Sequence, residues 1–154
     1  LDGGLSYRRL GAFSAANAES VASQHGISVT TASVRDGGEY ASSVRIVADE
    51  VEVAATLFGT EHTPRIISLM GYKIDIAPAT TSLVFEYVDA PGRIGVIGTI
   101  LGDAAANITT MQIGTKPEES CALVYMNVEG DVSEAVLDRL RGAIDLRNLW
   151  KITL

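Results

Sequence analysis

Residues 82–108, SLVFEYVDAPGRIGVIGTILGDAAANI, contain the strongest structural signal in the chain. Residues 82–88 predict a β-strand. Residues 91–106 predict a helix, because Pro91 suits the first helical turn, where its missing N–H costs nothing. Apolar residues recur along this helix at spacings of three and four, as in a helix that packs on a sheet. They are Ile94, Ile97, Leu101 and Ala104. The stretch therefore predicts a strand followed by a helix that covers it.

The residues that follow continue the same pattern. Strands are predicted over 108–113, 121–128 and 149–154, with a second helix over 133–141. The resulting order, βαββαβ, is that of the ferredoxin-like fold. Its two right-handed crossovers place both helices on one face of a four-stranded antiparallel sheet.

The first half of the chain predicts a smaller sheet-rich domain with one helix. The expected elements are a helix over 13–25, strands over 27–34, 39–47, 65–69 and 72–76, and a hairpin strand that starts at Val51. Proline and small polar residues at 77–81 mark the boundary between the halves. We therefore predict an α+β protein, with a partial first domain at 1–79 and a ferredoxin-like domain at 80–154. Residues 1–12 show no clear pattern and receive no assignment.

Composition excludes several classes of protein. The 154 residues are 47% hydrophobic, enough for a core, and the formal net charge is −7. Nucleic-acid binding is not expected, because it needs clustered Lys and Arg, and the 12 basic residues here are scattered. No apolar run approaches the length of roughly eighteen residues that a membrane helix needs, and no signal peptide is visible. We expect a cytoplasmic protein and, since the chain opens at Leu1 without a methionine, a fragment of a longer one.

No catalytic or metal site is predicted in this chain. The dinucleotide-binding pattern GxGxxG does not occur, and the glycines at 92–98 have a different spacing. The two histidines, His25 and His62, lie far apart in unlike contexts, without an evident carboxylate or nucleophile beside them. Cys121 is the only cysteine, which excludes an internal disulfide and a cysteine-based zinc site.

A binding site is indicated around the predicted helix of residues 91–106. Four glycines recur on one of its faces, at Gly92, Gly95, Gly98 and Gly102. Interior glycines destabilise a helix, so they indicate either the approach of a ligand or second subunit, or close packing on the chain's own sheet. Asp89 is either the N-cap of the helix or a ligand group. Asn107 is either a left-handed helix stop or a polar ligand group.

The segments 87–95, 98–101 and 107–108 resemble the ACT domain of phosphoglycerate dehydrogenases. The resemblance implies a domain that binds L-serine as a feedback inhibitor at an interface between two ACT domains. The residues at the matching positions are Tyr87, Asp89, Arg93, Ile94, Asn107 and Ile108. A homodimer through the ACT domain is then expected, with a tetramer in the full enzyme and NAD as the cofactor of its catalytic part.

The segments 56–59, 64–66 and 71–75 resemble the intervening domain of the long form of the same enzyme. That domain can hold a second anion site, and the resemblance places Arg65 and Lys73 at its positions. Ala77 stands where some members carry a further basic residue, so the set is incomplete. The alternative is that Arg65 and Lys73 are solvated charges on strand edges.

Three hypotheses stay open from the sequence. The chain is the regulatory portion of a phosphoglycerate dehydrogenase, the regulatory portion of an iron–sulfur L-serine dehydratase, or a dimerisation module that binds no ligand. Upstream sequence separates the first two, since one parent needs a dinucleotide-binding fold and the other needs cluster-ligating cysteines. The presence of both Asp89 and Asn107 favours a ligand-binding module over the third.

Overall fold

A computed structural model describes residues 18–24, 26, 28, 30, 32, 33, 40, 42–49 and 51–154. The chain divides into two compact units, Leu1–Asp36 and Gly37–Leu154. In the first unit, helix α1 spans Ala18–Gln24 and confirms the central part of the helix predicted over 13–25. The rest of that prediction, and residues 1–12, lie outside the described residues.

One predicted strand of the first unit is wrong where it can be checked. Positions 28, 30, 32 and 33 of the predicted strand 27–34 are not in a strand, and the other four lie outside the described residues. Those four described positions are small or polar and exposed. Residues of this kind have little apolar surface to bury, so they gain little from strand pairing.

Among its described residues, the second unit contains eight strands and two α-helices. Its strands are β1 (Val44–Ala48), β2 (Val51–Phe58), β3 (Thr63–Leu69), β4 (Tyr72–Ile76), β5 (Thr81–Val88), β6 (Asn107–Lys116), β7 (Cys121–Glu129) and β8 (Leu146–Thr153). Its helices are α2 (Arg93–Asp103) and α3 (Glu134–Ala143). None of the helices that the structure describes is long and apolar enough to span a membrane.

Strands β1 to β4 form an antiparallel sheet in chain order, here called the first sheet. The turn between β3 and β4 consists of Met70 and Gly71, with φ of 49° and 78°. Two successive residues with positive φ are typical of the tight turns that match the twist of a hairpin. The predicted hairpins over residues 51–76 are therefore confirmed. Of the strand predicted over 39–47, only the part from Val44 onward is a strand among the described residues.

Strands β5 to β8 form the second sheet, in the order β6-β7-β5-β8 with antiparallel neighbours. This order confirms the ferredoxin-like prediction. Helices α2 and α3 cover one face, where Ile97, Leu101 and Leu140 pack on Phe85 and other residues of the sheet. The fold class predicted from the sequence, α+β with two sheets and few helices, is correct.

The second sheet is buried on both faces. On β7, Val124 and Met126 point to the helices, whereas Leu123 and Tyr125 pack with Tyr72 of the first sheet. Eight successive residues of β7 are buried as a result. A strand covered on both faces is expected to be apolar throughout rather than alternating, which explains the continuous run in this segment.

The predicted domain boundary lies in the connection between β4 and β5. Asn127, which is buried, donates from Nδ2 to the carbonyl of Ala77 at 2.9 Å, and Ser82 Oγ lies 2.9 Å from Asn127 Oδ1. This polar contact fastens the connection to the second sheet. The two sheets share a core within one compact unit, and the division at residues 79 and 80 stays a prediction.

Candidate effector site

The candidate site lies where β5 passes into α2, at residues 89–92, here called the β5–α2 loop. A cavity of about 450 Å³ opens beside it. The residues that line the cavity are Tyr87, Asp89, Ala90, Pro91, Gly92, Arg93, Ile94 and Gly95. Four of the six predicted effector residues, Tyr87, Asp89, Arg93 and Ile94, are therefore brought together at one place.

Backbone hydrogen bonds hold both ends of this loop. The Asp89 amide donates to the carbonyl of Ser120 at 2.9 Å, and the Val88 amide donates to the carbonyl of Asp145 at 3.1 Å. At the other end the Val96 amide donates to the carbonyl of Gly92 at 3.1 Å. The loop is thus fixed by its neighbours on the sheet before any ligand arrives.

The prediction that Asp89 is the N-cap of the helix is wrong. The chain enters α2 through Gly92, which has a φ of 87°, and no side chain in the described part of the structure caps the helix. Asp89 lies three residues before this glycine and is exposed, so its carboxylate is not used by the helix. Its other predicted role, as a ligand group, stays open.

The N-terminus of α2 offers donors to the cavity. The amides of Ile94 and Gly95 have no backbone partner among the described residues, as is usual in the first turn of a helix. The helix dipole adds a partial positive charge at this end. A carboxylate is the kind of group that such a terminus binds.

Arg93 adds a donor that lacks a partner. Its Nε is buried and makes no hydrogen bond within the described part of the chain. A buried donor without a partner costs free energy, so its presence calls for an explanation. Arg93 itself lines the cavity, so its guanidinium brings positive charge to the site.

Tyr87 belongs mainly to the core behind the cavity. Its side chain is buried, and its ring centroid lies 6.2 Å from that of Phe85. Burial raises the pKa of Tyr87, and the nearby charge of Asp89 raises it further. The hydroxyl therefore stays protonated at neutral pH, and Tyr87 presents a neutral group beside the Asp89 carboxylate.

Asn107 and Ile108 lie at the opposite end of the second sheet. Asn107 is opposite Glu129 on β7, whereas Val88 is opposite Cys121. At the usual rise of about 3.4 Å per residue, these levels are about 27 Å apart along β7. A single chain therefore does not bring Asn107 next to Asp89.

The alternative reading of Asn107 as a left-handed helix stop is wrong. The left-handed residue after α2 is Ala105, with a φ of 55°, and Asn107 is already the first residue of β6. The chain turns earlier because the amides of Ala105 and Ala106 donate to the carbonyls of Gly102 and Leu101. Asn107 is exposed, while Ile108 is half-buried against the helix side of the core.

The glycines of α2 do not pack on the chain's own sheet. A Cβ atom placed on Gly95, Gly98 or Gly102 meets nothing within 4 Å. The packing explanation of these glycines is therefore wrong for the described part of the chain. The approach of a ligand or a second subunit stays as the explanation that fits an open glycine face.

Arg65 and Lys73 lie on the first sheet. Arg65 donates from Nε to Asp75 Oδ1 at 2.5 Å and from Nη2 to the Asp75 carbonyl at 3.0 Å. Lys73 is exposed and sits opposite Ser68. Asp75 thus neutralises Arg65 and accepts two of its hydrogen bonds. These contacts do not test a second anion site, which stays a prediction.

No protein-family model matches the chain. Curated relatives do. The chain is 32% identical over 143 residues to D-3-phosphoglycerate dehydrogenase of Mycobacterium leprae, with 90% of this chain and 27% of the relative covered. The enzyme of the same name from Methanocaldococcus jannaschii is 26% identical over 156 residues, covering 100% of this chain and 30% of the relative. That from Bacillus subtilis is 29% identical over 141 residues, covering 90% and 27%.

The chain matches a partial region of D-3-phosphoglycerate dehydrogenase. This confirms the family resemblance drawn from residues 56–108. The chain spans less than a third of the length of the phosphoglycerate dehydrogenases compared above.

Two features of the candidate site and its surroundings were not predicted from the sequence. The burial of Arg93 Nε depends on the folded conformation around it, which local sequence pattern does not give. The hydrogen bond from Tyr72 to Glu86, 2.6 Å long, joins the two sheets at the residue that precedes Tyr87 of the cavity. The sequence gives one weak signal for the second contact, a glutamate inside an otherwise apolar strand.

Proposed function

We propose that this chain is the amino-acid-sensing, regulatory portion of a D-3-phosphoglycerate dehydrogenase and binds L-serine as a feedback effector between two ACT domains. The observation that carries the proposal is the cavity beside the β5–α2 loop, which Asp89, Arg93 and the N-terminal residues of α2 line together. The parent enzyme would be the NAD-dependent, cytoplasmic dehydrogenase that oxidises 3-phosphoglycerate in the first step of serine biosynthesis. The relatives carry this name, which favours it over a serine dehydratase.

The two charges of an amino acid match the two signs in the cavity. Its carboxylate would accept hydrogen bonds from the amides of Ile94 and Gly95 and lie close to the positive charge of Arg93, which lines the same cavity. Its ammonium would pair with Asp89. Hydrogen bonds between charged partners are among the stronger ones, and this arrangement explains why the site has both a free carboxylate and free donors.

Asn107 enters the proposal from a second copy of the chain. Strand β6 is an edge of the second sheet. If two copies pair β6 with β6 in antiparallel fashion, Asn107 of one copy comes to the Lys116 end of the other. Lys116 and Val88 are both opposite Cys121, so that end is also the end of the Asp89 loop. A two-fold pair therefore supplies both polar groups to one site.

Calorimetric titration of this chain with L-serine tests the proposal. We expect saturable heat with L-serine and none with D-serine, whose side chain cannot occupy the same position when its two charges are held. Asp89→Asn should lower the affinity because it removes the charge and keeps the size. Asp131→Asn, at another exposed aspartate of the same domain, is the matched control and should leave the affinity unchanged.

Heat that is equal for L-serine and D-serine, or unaffected by Asp89→Asn, would contradict the proposed site. Absence of heat at millimolar L-serine, in a sample shown to be dimeric, would instead favour a dimerisation module without an effector.

A further inference from the structure

The end of β5 is held from the side of the first sheet as well as from the helix side. Glu86, three residues before Asp89, uses both of its carboxylate oxygens. Tyr72 of β4 donates its hydroxyl to Oε1 at 2.6 Å, and Asn148 of β8 donates to Oε2 at 3.2 Å. Tyr72 is 1% exposed. A residue of the first sheet is therefore bonded to the strand that leads into the β5–α2 loop.

A second set of contacts runs from the same tyrosine to the loop. Lys116 Nζ lies 4.3 Å from the centroid of the Tyr72 ring and 3.7 Å from Glu119 Oε1. The next residue, Ser120, accepts the hydrogen bond of the Asp89 amide through its carbonyl. Tyr72 thus contacts the end of β5 directly and is linked to the turn before β7 through Lys116, and both of these segments hold Asp89 in place.

The position of Tyr72 is itself tightly set. A Cβ atom on Gly114 of β6 would lie 2.9 Å from the Tyr72 Cβ and 2.9 Å from the Lys73 carbonyl oxygen, so only glycine permits this approach of β4. Burial raises the pKa of Tyr72 strongly, and the hydrogen bond to Glu86 adds to the effect. The hydroxyl is therefore a donor throughout the neutral range.

We infer that Tyr72 is a positioning residue for the β5–α2 loop: through Glu86 and Lys116 it holds Asp89 in the geometry that binds the effector. The part of this inference that concerns effector affinity rests on the proposed function. The part that concerns the order of the loop does not. Since Tyr72 belongs to β4, the inference means that the first sheet helps to order the β5–α2 loop.

The test compares Tyr72→Phe with Tyr125→Phe. The first variant removes the hydroxyl and keeps the ring beneath Lys116. The second removes a hydroxyl from another tyrosine of the same buried cluster, on β7, which makes no contact with Glu86 among the described hydrogen bonds. Amide hydrogen exchange is measured at Val88 and Asp89, with Val124 as a reference for global unfolding.

For Tyr72→Phe we expect exchange at Val88 and Asp89 to accelerate on the order of tenfold more than at Val124, since a hydrogen bond to a charged group is lost. The dissociation constant for L-serine should rise several-fold, because a less ordered loop must be ordered on binding. Tyr125→Phe should change the loop amides no more than the reference amide.

Equal acceleration at the loop and at Val124, or equal effects of the two variants, would overturn the inference. If wild-type chain binds no serine, the proposed function fails, and the exchange comparison still decides whether Tyr72 positions the loop. Should Tyr72→Phe not fold, Glu86→Gln tests the same contact from its other side. It should give a smaller acceleration at the loop, because a neutral acceptor replaces the carboxylate.

Discussion

The two ends of the second sheet are built differently. At one end, Asp89 and Arg93 lie beside a helix N-terminus and a cavity of about 450 Å³. At the other end, Asn107 is an exposed amide at the start of an edge strand. About 27 Å of strand separates the two ends. If both Asp89 and Asn107 bind the proposed effector, as we propose, a complete site must therefore combine two chains.

The largest predicted effect is a loss of stability on substitution of Asn127. This residue is buried and lies near Asn107, at the same end of the second sheet. Asn127→Ala should lower the free energy of unfolding by roughly 2–4 kcal/mol, because the Ala77 carbonyl and Ser82 hydroxyl lose their buried partner. Asn107→Ala, at an exposed asparagine, should change it by less than about 0.5 kcal/mol. Denaturant unfolding measures both free energies. Similar losses in the two variants would mean that the Asn107 side chain stabilises the fold.

The second prediction compares the two ends as ligand groups. Asp89→Asn should weaken L-serine binding roughly 10- to 150-fold, the value of a hydrogen bond between charged groups. Asn107→Ala should weaken it only about 2- to 10-fold, since a neutral hydrogen bond is lost. Titration calorimetry gives both constants. A larger loss from Asn107→Ala than from Asp89→Asn would reverse the assignment of roles.

The third prediction concerns the open glycine face of α2 between the two ends. Gly98→Ala should raise the free energy of unfolding of the single chain by up to about 1 kcal/mol. Alanine favours a helix over glycine, and a Cβ at this position meets nothing within 4 Å. If a second chain approaches this face, the same variant should weaken dimerisation. Thermal unfolding at low concentration and sedimentation at high concentration separate these effects. Stabilisation without any change in association would remove the glycine face from the interface.

The buried tyrosines are expected to change stability least at neutral pH. Their effect becomes measurable at alkaline pH. Burial raises the pKa of Tyr87 above its ordinary value of 10.0, and Asp89 adds to the shift. The unfolded chain loses this proton first, so the stabilisation is complete below pH 10 and declines as the pH rises through the folded pKa. The phenolate absorbance of the folded chain should therefore lag behind that of the urea-unfolded chain. Coincident curves would show that Tyr87 is open to solvent.

Much of the second sheet was predictable from local pattern. The strand predicted over 121–128 is observed as Cys121–Glu129, because a long apolar run can only be satisfied by burial on both faces. Proline and glycine at 91 and 92 placed the start of the helix to within two residues. Both signals come from residues that are neighbours in the sequence, so they can be recognised without knowledge of the fold.

The errors have a common physical origin. Asp89 as an N-cap and Asn107 as a helix stop were inferred from residue type, but the backbone makes both turns through other residues, Gly92 and Ala105. The contact between Tyr72 and Glu86 joins residues on different sheets. Neither the φ of one residue nor a pairing across sheets is encoded by local periodicity, since both depend on how the sheets pack.

Mixing the two weakened variants tests the shared site most directly. Asp89→Asn carries an intact Asn107, and Asn107→Ala carries an intact Asp89, so a mixed dimer contains one complete site and one doubly altered site. The account predicts that L-serine binding, which each variant alone weakens to a different degree, returns to wild-type affinity at about one site in four after random exchange of subunits. If the mixture binds no better than the variants separately, the site does not combine Asp89 and Asn107 from two chains.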